Sequence, residues 1–204
     1  QNIIRKQDIE KNFNFKKESD PTPYEYLVKS KELLLNYPQE KLKKAYSLFQ
    51  DAWTAYRENR RHEALTLFEK TYQLVPSFIR LNELLGYLYY QNKDYKSSLK
   101  HYELEYAFYP QSQFFLPTLA YLYRLEKENE KAVQIYKKIV ENNPEQPVYF
   151  YYIGIVYYEQ KNYVETLHYL YQYIEKEKKH SQTEFLSALE ITAYILCQID
   201  KNYS

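Results

Sequence analysis

Pro76, Pro110 and Pro144 stand 34 residues apart along the chain. Proline lacks an N–H and its ring collides with the preceding turn, so it closes a helix. Equal spacing of such stops means helical units of equal length. The 204 residues contain two glycines and eight prolines. That leaves little turn material for an all-β chain, which needs Gly-rich hairpins. The chain is therefore expected to be all-α. Its 45% of hydrophobic residues is enough for a continuous core.

Counting back from each proline starts the units at Ala45, Ile79, Gln113 and Pro147. The second unit then holds Leu85-Gly86-Tyr87-Leu88-Tyr89, and the fourth Ile153-Gly154-Ile155-Val156-Tyr157. The third reads Leu119-Ala120-Tyr121-Leu122-Tyr123, and the first is weaker, with Asp51-Ala52 and then Ala55. Both glycines fall at the same place in the unit. Glycine costs roughly 1 kcal/mol inside a helix, so a recurrent one implies two helices in close contact. Later in each unit come Ala64 and Phe68, Ser98 and Tyr102, Ala132 and Tyr136, and, more loosely, Thr166 and Leu170. This phase, period and small-then-aromatic pattern resembles the tetratricopeptide repeat, a helix–turn–helix unit. The resemblance covers 45 to about 180. One departure recurs: Thr71, Glu105, Ile139 and Tyr173 stand where the family usually has alanine.

The resemblance implies a right-handed helical-repeat solenoid of about four units, 45–78, 79–112, 113–146 and 147–180. A solenoid exposes an apolar face at each end and needs caps. Thr183 to Ile199 reads as a capping helix within 181–204, with Phe185, Leu186, Leu189, Ala193 and Leu196 at helical spacing. At the other end, 24–44 forms a helical extension. Tyr24 to Tyr37 is one helical stretch, and Glu40 to Glu58 is another that overruns the first unit. Residues 1–23 read as a polar tail or tether, closed by Asp20-Pro21-Thr22-Pro23.

In the resembled family the first helices of successive units line a concave groove where ligands lie. The groove positions here are Tyr46, Phe49, Trp53 and Tyr56 with Arg57, then Arg80, Glu83, Tyr87 and Tyr90, then Phe114, Pro117, Tyr121 and Arg124, then Val148, Tyr151, Ile155 and Tyr158. Phe185 continues the row on the capping helix. Exposed aromatic patches mark interfaces, and Trp and Tyr dominate binding hot spots. The expected partner is another protein, as a helix or peptide docked in this groove. The alternative is that the protein's own N-terminal stretch fills it. A carboxylate clamp of the family's lysine–asparagine kind is not expected, since Phe49 and Trp53 occupy its places. Arg57, Arg80 and Arg124 offer positive charge, although solvated or ion-paired arginines are the plainer reading.

The chemistry of catalysis is missing from the sequence. His62, His101, His168 and His180 are widely separated, and none has a histidine four residues on. His101 and His168 fall on second helices and are expected to face the convex side. Cys197, the single cysteine, reads as a small core residue. No enzyme activity, metal or cofactor is expected. With 28 basic and 27 acidic residues the net charge is +1, which counts against a nucleic-acid partner. No apolar run reaches the roughly 20 residues of a transmembrane helix. The expected function is a non-catalytic interaction scaffold. Two other readings remain open, a cell-envelope protein that assembles or stabilises a partner and a homo-oligomeric structural protein. The chain starts at Gln1 and contains no methionine. A removed signal sequence or a trimmed start both fit, and the balance falls to a periplasmic or membrane-tethered envelope protein over a cytoplasmic one.

Overall fold

The computed structural model describes residues 36–78, 80–110, 113–177 and 183–203. The expected tail at 1–23, and the extension up to residue 35, lie outside the described residues. Within them are the helices α1 (Gln39–Arg57), α2 (Arg61–Leu74), α3 (Leu81–Gln91), α4 (Tyr95–Phe108), α5 (Leu116–Leu125), α6 (Asn129–Asn142), α7 (Val148–Glu159), α8 (Tyr163–Lys176) and α9 (Thr183–Tyr203). No strand occurs among the described residues. The chain is all-α and its helices pack pairwise: α1 with α2, α3 with α4, α5 with α6, and α7 with α8.

The period is visible in the backbone. The second helices begin at Arg61, Tyr95, Asn129 and Tyr163, and end at Leu74, Phe108, Asn142 and Lys176. Each series advances by 34. Pro76, Pro110 and Pro144 therefore stand two residues beyond the helices they close. The fourth second helix stops in the same register with no proline behind it.

The turn inside each hairpin repeats as well. Asn59, Lys93, Lys127 and Lys161 all adopt the left-handed conformation, with φ between 60° and 63°. The N–H of each donates to the carbonyl three residues back, and the next N–H reaches five back. In the third hairpin, Lys127 N–H donates to Arg124 O at 3.0 Å and Glu128 N–H to Tyr123 O at 2.8 Å. These bonds satisfy carbonyls that the helix end leaves open. Asp94 and Asn162 then cap the following helices by accepting from the N–H of Ser97 and Glu165. Glycine is the usual residue at such a turn, and a lysine there is strained by about 1 kcal/mol. Lys127→Gly is expected to raise stability by about 0.5–1 kcal/mol, measured as a higher urea midpoint. A lower midpoint would show that the lysine side chain supplies more than the strain removes.

The described chain forms two compact units, one up to Phe115 and one from Leu116. In the first, Ala45, Ala52 and Ala55 of α1 allow close approach to Ala64 and Phe68 of α2, all fully buried. α3 is buried along most of its length, as a helix packed against both α2 and α4 must be. In the second unit α7 has the same role, flanked by α6 and α8 and touching α9.

The two glycines serve the close contact expected of them. A Cβ built on Gly86 would lie 2.8 Å from the Tyr102 ring, and one on Gly154 would lie 2.7 Å from Leu170 Cδ2. Ser98 Oγ donates to the Gly86 carbonyl at 2.7 Å across the same contact. Thr71, Glu105, Ile139 and Tyr173 are all buried. Larger side chains, two of them apolar or aromatic and two polar, therefore fill the place where alanine is usual.

Three expectations need correction. Cys197 is exposed and takes no part in the core. His101 does not face outwards. It is buried between the rings of Tyr72 and Tyr89, with Nδ1 2.9 Å from Asn82 Oδ1. The capping helix α9 is rotated from its expected setting. It buries Glu184, Ala188, Thr192 and Ile195 and leaves Leu186, Leu189, Ala193 and Leu196 exposed. Both stripes carry apolar residues at helical spacing, and the small side chains of Ala188 and Thr192 are the ones that admit close approach to α8.

Candidate functional site

In the first unit the predicted face is built by α1 and α3. Trp53 and Tyr56 stack with ring centres 5.6 Å apart, one helical turn from each other on α1. Tyr87 of α3 meets Tyr56 edge-on at 6.2 Å. Arg80, held in the left-handed conformation at the start of α3, places its guanidinium 6.0 Å from the Trp53 ring centre. Trp53, Tyr56, Tyr87, Tyr90 and Arg80 are each only partly buried. Tyr90 packs on Tyr95 at 5.6 Å, and Tyr46 accepts from Gln50 Nε2 at 2.8 Å. Arg57 is exposed.

Phe49 lies elsewhere. It is buried against Phe68 and Phe78, with ring centres 5.4 and 4.8 Å away, and belongs to the core. Phe114, at the end of this unit, is 68% exposed.

In the second unit Tyr121 and Arg124 come together, with the guanidinium carbon 5.9 Å from the ring centre. Tyr151 is a core residue: its ring packs on Tyr152 and Tyr173, and its hydroxyl donates to Ser187 Oγ at 3.1 Å. Phe185 packs edge-on against Tyr173 at 6.5 Å. Tyr158 is partly buried and meets Tyr163. The predicted residues thus form an aromatic face on α1 and α3 and a smaller polar–aromatic cluster around Tyr121 and Arg124, while Phe49, Glu83, Tyr151 and Ile155 are buried and serve the interior.

Two of the three groove arginines, Arg80 and Arg124, form ion pairs. Arg80 Nε lies 3.4 Å from Glu83 Oε2, and Arg124 Nε lies 3.1 Å from Glu159 Oε2. Glu83 leads to a pair of carboxylates buried behind the aromatic face. Glu105 Oε2 accepts from the Glu83 N–H at 3.2 Å, and Glu105 is 1% exposed. Burial, and then the nearby Glu83 carboxylate, pushes the Glu105 carboxyl up to about 8. Burial also raises Glu83, against the pull of Arg80. The sequence carried one sign of this pair: Glu105 occupies the place usually given to alanine.

Among the described residues no group of three His, Cys, Asp or Glu side chains is placed to hold a metal ion. No helix among them is long and apolar enough to cross a membrane. A cleft of about 230 Å³ lies on the second unit between α6 and α7, lined by Asn129, Val133, Gln134, Lys137, Tyr157 and Gln160 among others.

Residues 49–113 and 118–145 match two models of the tetratricopeptide repeat. No curated protein matches the sequence. Among solved structures, a tetratricopeptide repeat protein from Parabacteroides merdae is similar, with 17% identity and a TM-score of 0.61. The match covers 78% of this chain and 62% of that one, so this chain spans less than two thirds of that protein. MamA from AMB-1 is 14% identical, with a TM-score of 0.62 over 77% of this chain and 85% of its own. YrrB, described as a tetratricopeptide repeat protein with an unusual peptide-binding site, is 15% identical, with a TM-score of 0.58 over 85% and 91%. At these identities the likeness is one of fold. It agrees with the 34-residue register of helices and turns, and the chain carries tetratricopeptide repeats over residues 49–113 and 118–145.

Proposed function

We propose that this protein binds a helix or extended segment of another protein on the aromatic face of α1 and α3. Tetratricopeptide repeats are in general non-catalytic scaffolds for protein–protein interaction, which supplies the coarse function. The finer reading rests on one observation. Trp53, Tyr56 and Tyr87 form a continuous set of partly buried rings, with Arg80 over Trp53. The core beneath is already closed by Phe49, Phe68 and Phe78. The rings therefore offer large, rigid contact area with polar tips, the make-up of a hot spot. The peptide-binding site ascribed to YrrB supports the use of such a fold in this way.

The test compares capture of partners by the wild type and by the double variant Trp53→Ala, Tyr90→Ala. Each truncation of a hot-spot residue costs roughly 2 kcal/mol or more, about thirtyfold in affinity. Both residues are partly exposed, so the variant is expected to keep its helical circular dichroism. A partner held equally by both proteins would place the binding surface elsewhere.

A homo-oligomer is favoured by a separate observation, the outward stripe of Leu186, Leu189 and Leu196 on α9. Light scattering over a concentration series should then show association that Leu189→Glu abolishes. A wild type that stays monomeric throughout removes this reading.

A further inference from the structure

α9 stands where a fifth unit would place its first helix, since α7 starts at Val148 and α9 at Thr183. In each complete unit the first helix packs against the second helix of its own hairpin. Among the described residues no helix follows α9. Leu186 and Leu189 are 54% and 42% exposed, whereas their counterparts 34 residues earlier, Tyr152 and Ile155, are buried. Ala193 and Leu196, also exposed, continue the same stripe.

The stripe advances by three, four and three residues, the a and d places of two heptads. That series reads the same in both directions. A face that repeats itself on reversal fits a second copy turned end for end, as a twofold dimer requires. Side-chain size selects the same arrangement. Antiparallel helices pair a with d, so Leu186 would lie against Leu196 of the second copy, and Leu189 against its Ala193. Each small residue then faces a large one. Parallel helices pair like with like, so two alanines would face each other across a void. Charge agrees. Glu190 is the only charged residue exposed on α9 between Thr183 and Cys197, so the seam itself is neutral and gives an acidic or basic partner little to hold. The four side chains offer on the order of 400 Å² per copy, or about 800 Å² for the pair, which is the scale of a weak and reversible complex.

We propose that α9 pairs antiparallel with α9 of a second copy, crossing near Ile191, to form a weak twofold dimer. The proposal rests on the homo-oligomer reading above and adds the orientation and register of the contact.

The register can be measured because Cys197 is the single cysteine and is exposed. Thr183, Glu190 and Cys197 follow one another at heptad spacing along one flank of the stripe. Within one helix Thr183 and Cys197 are about 21 Å apart. In the antiparallel pair Thr183 of one copy approaches Cys197 of the other, while the two Cys197 thiols stand about 18 Å apart along the axis. The full chain, as wild type and as Thr183→Cys, is treated with bismaleimidoethane, a linker too short for either of those spans. Samples follow the concentration series used for light scattering. Thr183→Cys is expected to become a covalent dimer on a denaturing gel wherever scattering reports association, and the wild type to run as a monomer. Adding Leu189→Glu to Thr183→Cys should remove the cross-link. Thr183 and Leu189 are both exposed, and circular dichroism checks that the variants keep the fold. A wild type cross-linked as readily as Thr183→Cys would overturn the proposal. So would a Thr183→Cys protein that associates and is not cross-linked, a result that strikes the antiparallel register alone. A chain that scatters as a monomer throughout removes the homo-oligomer reading together with the proposal.

Discussion

Tyr102→Ala is expected to lower the stability of the first unit by roughly 3–5 kcal/mol, the range for deleting a buried aromatic ring. The ring is fully buried. It stacks on Phe115 with centres 5.5 Å apart and lies against Gly86, close enough that a Cβ there would sit 2.8 Å away. α3 and α4 meet at this point, so the cavity opens where the hairpin is tightest, and the glycine backbone offers no side chain to refill it. Tyr102→Phe is expected to act in the opposite direction. The hydroxyl is buried with no partner in the chain, so removing it should stabilise by about 1 kcal/mol. Urea unfolding of both variants beside the wild type decides the matter. A phenylalanine variant less stable than wild type would mean that the hydroxyl is satisfied after all.

The second large effect is on pH dependence. The Glu105 carboxyl, ordinarily near 4.5, is raised to about 8 by burial and by Glu83. Between those values the folded state holds a proton that the unfolded chain releases. Stability from this group is therefore complete below 4.5 and is lost as pH rises towards 8. His101 behaves oppositely. Burial, with help from Lys100, lowers it from 6.5 to about 4, so its contribution is present above 6.5 and is lost as pH falls towards 4. From 4.5 to 6.5 the two slopes oppose each other and nearly cancel. From 6.5 to 8 only the carboxyl slope remains, at about 1.4 kcal/mol per pH unit, or about 2 kcal/mol in all. Glu83 is shifted in the same direction and adds to the fall. The protein should be most stable near pH 6 and weaken towards pH 8. Glu105→Gln keeps an oxygen for the Glu83 N–H and should flatten the upper limb. A wild-type urea midpoint that is level from 6.5 to 8 would exclude a buried, protonated Glu105.

The repeat was legible in the sequence because its signals are local. Proline stops a helix wherever it stands, and Gly86 and Gly154 mark contacts that no larger residue fits. The turn conformation was less legible. Asn59, Lys93, Lys127 and Lys161 have positive φ, yet three of the four are lysines, a residue that carries no such preference. The setting of α9 depended on tertiary contacts. Its Leu186–Leu189–Leu196 stripe and its Ala188–Ile195 stripe both read as apolar, and only the shape of the neighbouring helices selects between them.

The candidate face was legible as a list of positions and not as a surface. Position alone placed Phe49 and Tyr151 with Trp53 and Tyr87. The structure separates them, because depth below a helix surface depends on how closely the next helix approaches. The buried carboxylates show the same limit. Glu105 was recognisable as out of pattern, but its closeness to Glu83, 22 residues earlier, needed the folded hairpin.

The left-handed turns also bear on how such a chain can change in length. Each hairpin closes on carbonyls from its own first helix, with no hydrogen bond borrowed from a distant segment. A cut at one turn and a join at the next would therefore restore the same closing geometry. Relatives of this protein should differ by whole steps of 34 residues more readily than by any smaller insertion within a helix.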